Sequence, residues 1–112
     1  MEQTKVVERG QVYWANLNPR KGSEQGNLRP VLIVSPDHGN THPEWGVVTV
    51  VPLTTKGVAN PLRIEVQTDG RKGYALVFQV RTLDKSRLGA LIDKLPDQKL
   101  AEVLEALRKF FA

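Results

Sequence analysis

At 112 residues and 12.5 kDa the chain has the length of one ordinary domain, 1–112, and 40% apolar with 25% charged residues is the composition of a core-forming protein. The absence of cysteine excludes a disulfide scaffold, a thiolate metal site and a cysteine nucleophile. No apolar run approaches the roughly 20 residues of a membrane span, and the start lacks a signal-peptide core, so cytoplasmic residence is expected. The net charge of +4 arises before the last 23 residues, which carry four side chains of each sign, and sets up a mild field that favours polyanions.

Residues 1–9 are largely polar and are expected to be flexible. From Gln11 onward, short apolar runs alternate with turn chemistry at all-β intervals. Gln11–Leu17 is the first expected strand, ended by Asn18-Pro19, and Val31–Val34 reads as a strand covered on both faces. Gly46–Leu53 is the third, with Pro52 limiting how far its ladder can run. In Leu62–Val66, Leu62, Ile64 and Val66 face one way, and Arg63 and Glu65 the other. A glycine-bearing connection over 68–73 leads to a long return strand, Tyr74–Leu83, able to bend around a small barrel. Asp84–Arg87 reads as one helical turn and Ala90–Leu95 as a last strand. Beyond Pro96 the period changes: Leu100, Val103, Leu104, Leu107, Phe110 and Phe111 form one stripe of a helix over 97–111. Asp97 stands in its first turn, Arg108 and Lys109 in its last, and Glu105 and Lys109 are spaced to pair. The loops 18–28 and 36–45 exceed hairpin length, and such loops on small scaffolds are often functional.

His38 and His42 are four apart, but Gly39 and Pro43 deny them the helix that would make the spacing a zinc motif. They read as surface loop histidines, and the metal expectation is none. No serine sits in a nucleophile elbow, and no glycine-rich phosphate loop precedes a helix. In Lys21–Pro30, Gly22 and Gly26 permit sharp turns, while Ser23, Glu24, Gln25 and Asn27 supply compact donors and acceptors. Arg29 opens a strand beside Pro30, and a guanidinium held there is a fork suited to phosphate. By residue type alone, an ion pair with Glu24 is the simpler reading. Thr54, Thr55 and Lys56 close a strand with two hydroxyls and a cation that could hold a phosphodiester oxygen; by residue type alone, plain strand and turn duty is the simpler reading.

The stretches Gly22-Ser23-Glu24-Gln25 with Arg29-Pro30, then Ser35-Pro36, Val51-Pro52-Leu53-Thr54-Thr55 and Gln79-Val80-Arg81-Thr82, taken in this order, resemble the MazF/PemK family of toxin endoribonucleases. The resemblance runs from about Gly10 into the C-terminal helix. It implies a mainly β fold, an SH3-like barrel of the CcdB/MazF type with a C-terminal helix, working as a homodimer. It also implies sequence-specific, metal-independent and cofactor-free cleavage of single-stranded mRNA, restrained by a cognate antitoxin with an acidic tail. Arg29 and Thr54 are then the catalytic pair, with Glu24 or a water taking the proton of the attacking 2′-OH. Ser23, Gln25, Asn27, Thr55, Lys56 and Gln79 would contact RNA. Gln79 and Arg81, polar residues on an apolar strand, need partners that a dimer interface or water can supply. Many family members carry an acid directly before this Gln-Val-Arg; here the position is Phe78, which either stacks a base or, the favoured reading, fills core. Two other classes share the architecture. A CcdB-like gyrase poison is expected to end in Trp-Gly-Ile, whereas this chain ends Lys109-Phe110-Phe111-Ala112. A non-catalytic SH3-like binding module would give Arg29 and Thr54 no special task.

Overall fold

Alternating apolar side chains on the short strands divide between two cores, and this organises the whole molecule. The computed structural model describes residues 6–17 and 28–112. Among the described residues, seven strands form one antiparallel sheet: β1 (Gln11–Asn16), β2 (Leu28–Ile33), β3 (Val47–Thr54), β4 (Arg63–Thr68), β5 (Arg71–Leu76), β6 (Arg81–Asp84) and β7 (Leu88–Lys94). Their order is β4-β5-β3-β2-β1-β7, with β6 beside β3. The one-turn helix α1 (Asp37–Asn40) follows β2, and α2 (Asp97–Phe110) ends the fold.

The apolar run after Pro30 is buried on both sides, as its composition predicts. Leu32 and Val34 join one core with Val12, Val51, Leu53, Val66, Val77, Val103 and Leu107. Val31 and Ile33 join a second with Val7, Tyr13, Ala15, Val48, Val50 and Leu83. The first core fills the curl of the sheet under α2; the second covers the opposite face. The product is the expected mainly β architecture, a half-barrel with a C-terminal helix.

β3 is the strand both halves share. It pairs with β2 along one edge. Along the other it pairs with β6 from Val47 to Val50 and then with β5 at Leu53 and Thr54. Pro52 has no N–H to offer a ladder, and the last pair with β2 is Val31 with Pro52. Gly73 makes the new pairing possible, because a Cβ there would stand 2.9 Å from the Thr54 carbonyl oxygen.

Several expectations change. The return strand does not run unbroken over 74–83: residues 77–79 form a 3-10 turn between β5 and β6, with Val77 N–H donating to Leu62 C=O at 3.0 Å. Gln79 therefore lies on that turn and not on a strand. The 68–73 connection shrinks to Asp69-Gly70, both at positive φ, the geometry that matches strand twist in a two-residue hairpin. On α2, Val103 and Leu107 are buried, but Phe110 and Phe111 stay 41% and 70% exposed. Glu105 bonds Arg108 at 2.9 Å instead of Lys109. Residues 7–9 are held in place: Val7 is buried, Arg9 donates to the Val34 carbonyl at 2.8 Å, and Glu8 meets Lys94 at 3.0 Å.

The 36–45 loop spends its polar groups on structure. Ser35 Oγ donates to Asn40 Oδ1 at 2.6 Å, and Asn40 Nδ2 donates to Ser35 C=O and Asp37 Oδ1. The Lys85 ammonium, only 3% exposed, donates to the Asn40 carbonyl at 2.8 Å, and burial holds its pKa below the usual lysine value. His38 and His42 are exposed, as expected.

Candidate active site

Arg29 and Thr54 stand at the same end of two neighbouring strands. β2 and β3 pair Ile33 with Val50, Leu32 with Val51 and Val31 with Pro52, where the ladder stops. Arg29 and Thr54 each lie two residues beyond that last pair, in phase with it along their strands. Side-chain alternation sets them toward one face. Val31 and Ile33, in phase with Arg29, and Val48 and Val50, in phase with Thr54, all enter the second core. Arg29 is also paired with Ala15 of β1, another member of that core. The sheet therefore presents the guanidinium and the hydroxyl at one end of one face, just past the apolar cluster.

Arg29 is exposed, and among the described residues nothing takes up its side-chain donors. It is a charged fork on a rigid strand, open to an anionic ligand. Thr54 is half-buried, and its Oγ1 accepts from the Lys56 backbone N–H at 3.3 Å, which fixes the hydroxyl oxygen over the turn. Thr55 and Lys56 are exposed beside it. Gln79 is exposed on the 3-10 turn, which packs against β3 and α2. Ser23, Glu24, Gln25 and Asn27 lie outside the described residues. The 36–45 loop begins where β2 ends, at the end of the strand opposite Arg29. Among the described residues no group of three His, Cys, Asp or Glu side chains stands close enough together to hold a metal ion.

Two residues were not assigned to the site in advance. The Arg63 guanidinium donates to the Lys56 carbonyl at 3.2 Å and lies 5.9 Å from the centroid of the Phe78 ring. Phe78 is 40% exposed, which overturns its reading as core. The available signals were the strand alternation, which turns Arg63 outward, and the aromatic at a position the family fills with acids.

A curled antiparallel half-barrel with one C-terminal helix is the architecture of a solved MazF. A sequence profile of the PemK-like, MazF-like toxins of type II toxin–antitoxin systems matches residues 8–111, and the chain belongs to that family. It is 36% identical over 107 residues to the endoribonuclease EndoA of Bacillus subtilis, covering 92% of each chain. Its fold superposes on a crystal structure of MazF from Deinococcus radiodurans with a TM-score of 0.78 and 30% identity, covering 96% of this chain and 97% of that one. It superposes equally, at 0.78, on a mycobacterial endoribonuclease solved with its cognate antitoxin, at 27% identity and 95% coverage of both.

Proposed function

We propose that the chain is the toxin of a toxin–antitoxin pair and acts as a sequence-specific, metal-independent endoribonuclease on single-stranded mRNA in the cytoplasm. The observation that supports this reading is that Arg29 and Thr54 each stand two residues beyond the last β2–β3 pair, in phase with residues of one core. Family membership supplies the reaction class.

The chemistry follows from what such a pair can offer. A ribose 2′-oxygen attacks the adjacent phosphorus as the bond from phosphorus to the 5′-oxygen breaks. The products are a 2′,3′-cyclic phosphate and a 5′-OH end. Charge accumulates on the non-bridging oxygens, where Arg29 gives two directed N–H donors and Thr54 an O–H. One preorganised donor of this kind is worth about 3–4 kcal/mol in the transition state. A guanidinium accepts no proton, so Glu24 or a water takes the one from the 2′-OH; Arg29 gives a hydrogen bond to the leaving 5′-oxygen, and water supplies the proton that makes it a 5′-OH. Ser23, Gln25, Asn27, Thr55, Lys56 and Gln79 would hold the flanking nucleotides in line for attack. The partners of this reading are RNA, a second copy of the chain, and an antitoxin whose acidic tail competes for the basic face.

The test is cleavage of a long unstructured transcript in excess EDTA, with the chemistry of the new ends determined. Wild type should cut and leave cyclic phosphate and 5′-OH, while Arg29→Ala and Thr54→Ala should not cut. Loss of cleavage in chelator, or cleavage that survives both substitutions, would overturn the proposal.

A further inference from the structure

We propose that Phe78 and Arg63 form a stacking platform for one unpaired nucleobase next to the scissile linkage; this rests on the endoribonuclease reading of the site. The fold buries Leu76 and Val77 immediately before Phe78 and then leaves this large aromatic 40% exposed. Phe78 is not a stray surface apolar residue, because a cation is built over it. The Arg63 guanidinium stands 5.9 Å from the ring centroid and is held by the Lys56 carbonyl at 3.2 Å.

The turn that carries Lys56 is shaped to admit this guanidinium. Gly57 has φ +108°, and a Cβ on it would lie 2.5 Å from an Arg63 terminal nitrogen. The same turn carries the Lys56 N–H that bonds Thr54 Oγ1 at 3.3 Å. Platform and Thr54 hydroxyl are thus tied through one residue, and exposed Gln79 follows the ring directly in the chain.

Aromatic rings and guanidinium planes are what proteins use to hold splayed bases of single strands. Stacking uses the π-face that every base has, so the platform strengthens binding at its position with little choice of base. Edge reading there is left to the neighbouring Gln79 amide. A ring that offers no edge-reading group predicts a permissive position in the recognised sequence.

The experiment uses an RNA oligonucleotide spanning a mapped wild-type cut, made uncleavable by a 2′-deoxy substitution at the scissile nucleotide, and the same oligonucleotide with one abasic residue at each position in turn. Affinities are measured by anisotropy for wild type and for Phe78→Ala, Phe78→Leu and Phe78→Trp, with urea unfolding of each. One abasic position should weaken wild-type binding about ten- to a hundredfold. Phe78→Ala and Phe78→Leu should show that loss on intact RNA and no further loss at that abasic position, while Phe78→Trp binds like wild type. A Phe78→Leu variant as tight as wild type, or a loss spread evenly over all abasic positions, overturns the platform alone. A wild type that does not cut the parent RNA overturns the reading of the site and the platform with it.

Discussion

Substitution at Arg29 separates charge from geometry. The side chain is exposed and has no partner among the described residues, so Arg29→Ala should alter unfolding free energy by no more than about 0.5 kcal/mol. Its cost to the reaction should be far larger. One preorganised donor to a developing oxyanion is worth about 2.7–4 kcal/mol, or roughly 10²–10³ in rate, and the fork offers two. Arg29→Ala should therefore slow single-turnover cleavage by at least about 10³. Arg29→Lys keeps the charge but loses the second directed donor, and should fall between that value and wild type. Thr54→Val removes one hydroxyl and should cost about 10²–10³, while Thr54→Ser should stay within about tenfold. Because Thr54 Oγ1 also accepts the Lys56 N–H, the valine variant should lose about 0.5 kcal/mol of stability as well. Both groups act on one phosphate, so the double variant should fall little below the slower single one. Single-turnover cleavage at saturating enzyme, read beside urea midpoints, supplies every number. Arg29→Ala within fivefold of wild type at an unchanged midpoint would refute the reasoning.

Three further outcomes follow from contacts elsewhere. Gly57→Ala should cost about 1–2 kcal/mol in urea unfolding, because it strains a positive φ and displaces the Arg63 guanidinium; part of that loss should vanish in an Arg63→Ala background. The Asp93 carboxylate accepts the N–H groups of Asp69, at 2.8 Å, and Lys94, at 2.7 Å, and these bonds hold its pKa below the ordinary aspartate value. Its stabilisation is complete above the unfolded value of about 3.9 and is lost as pH falls through the lower folded value. Asp93→Asn should thus destabilise by about 1 kcal/mol at pH 7, with the gap closing as pH falls through the lowered folded value; a gap constant with pH would contradict the sign. For Lys85 the folded state binds the proton less tightly than the unfolded chain, so its charge burdens the fold at neutral pH and is relieved as pH rises. Urea unfolding of wild type and Lys85→Met between pH 7 and pH 10 should show wild type gaining relative to the variant.

The strands and the last helix were legible because each is written in a period. Val31–Val34 has no polar side and was read as covered on both faces; it feeds both cores. The stripe of α2 was read correctly as a helix face; it is buried at Val103 and Leu107, while Phe110 and Phe111 match the period but stay largely exposed. The break at 77–79 was not legible. Periodicity sees Tyr74–Leu83 as one apolar run, whereas the chain must leave β5 and rejoin β3 lower down as β6, a demand made by tertiary pairing. Phe78 was misread for the same reason, since its exposure is set by that turn and not by its neighbours in sequence.

The candidate site itself has one tertiary cause. Arg29 and Thr54 lie 25 positions apart, and no local rule joins them. Pro52 is the last β3 residue paired with β2, two before Thr54, and along its other edge β3 pairs with β5, where Gly73 leaves room for the Thr54 carbonyl. From there Arg29 and Thr54 share a face without a ladder to hold their strands at sheet spacing. The candidate pair is a product of strand phase on two neighbouring strands, which the pattern of either strand alone does not show.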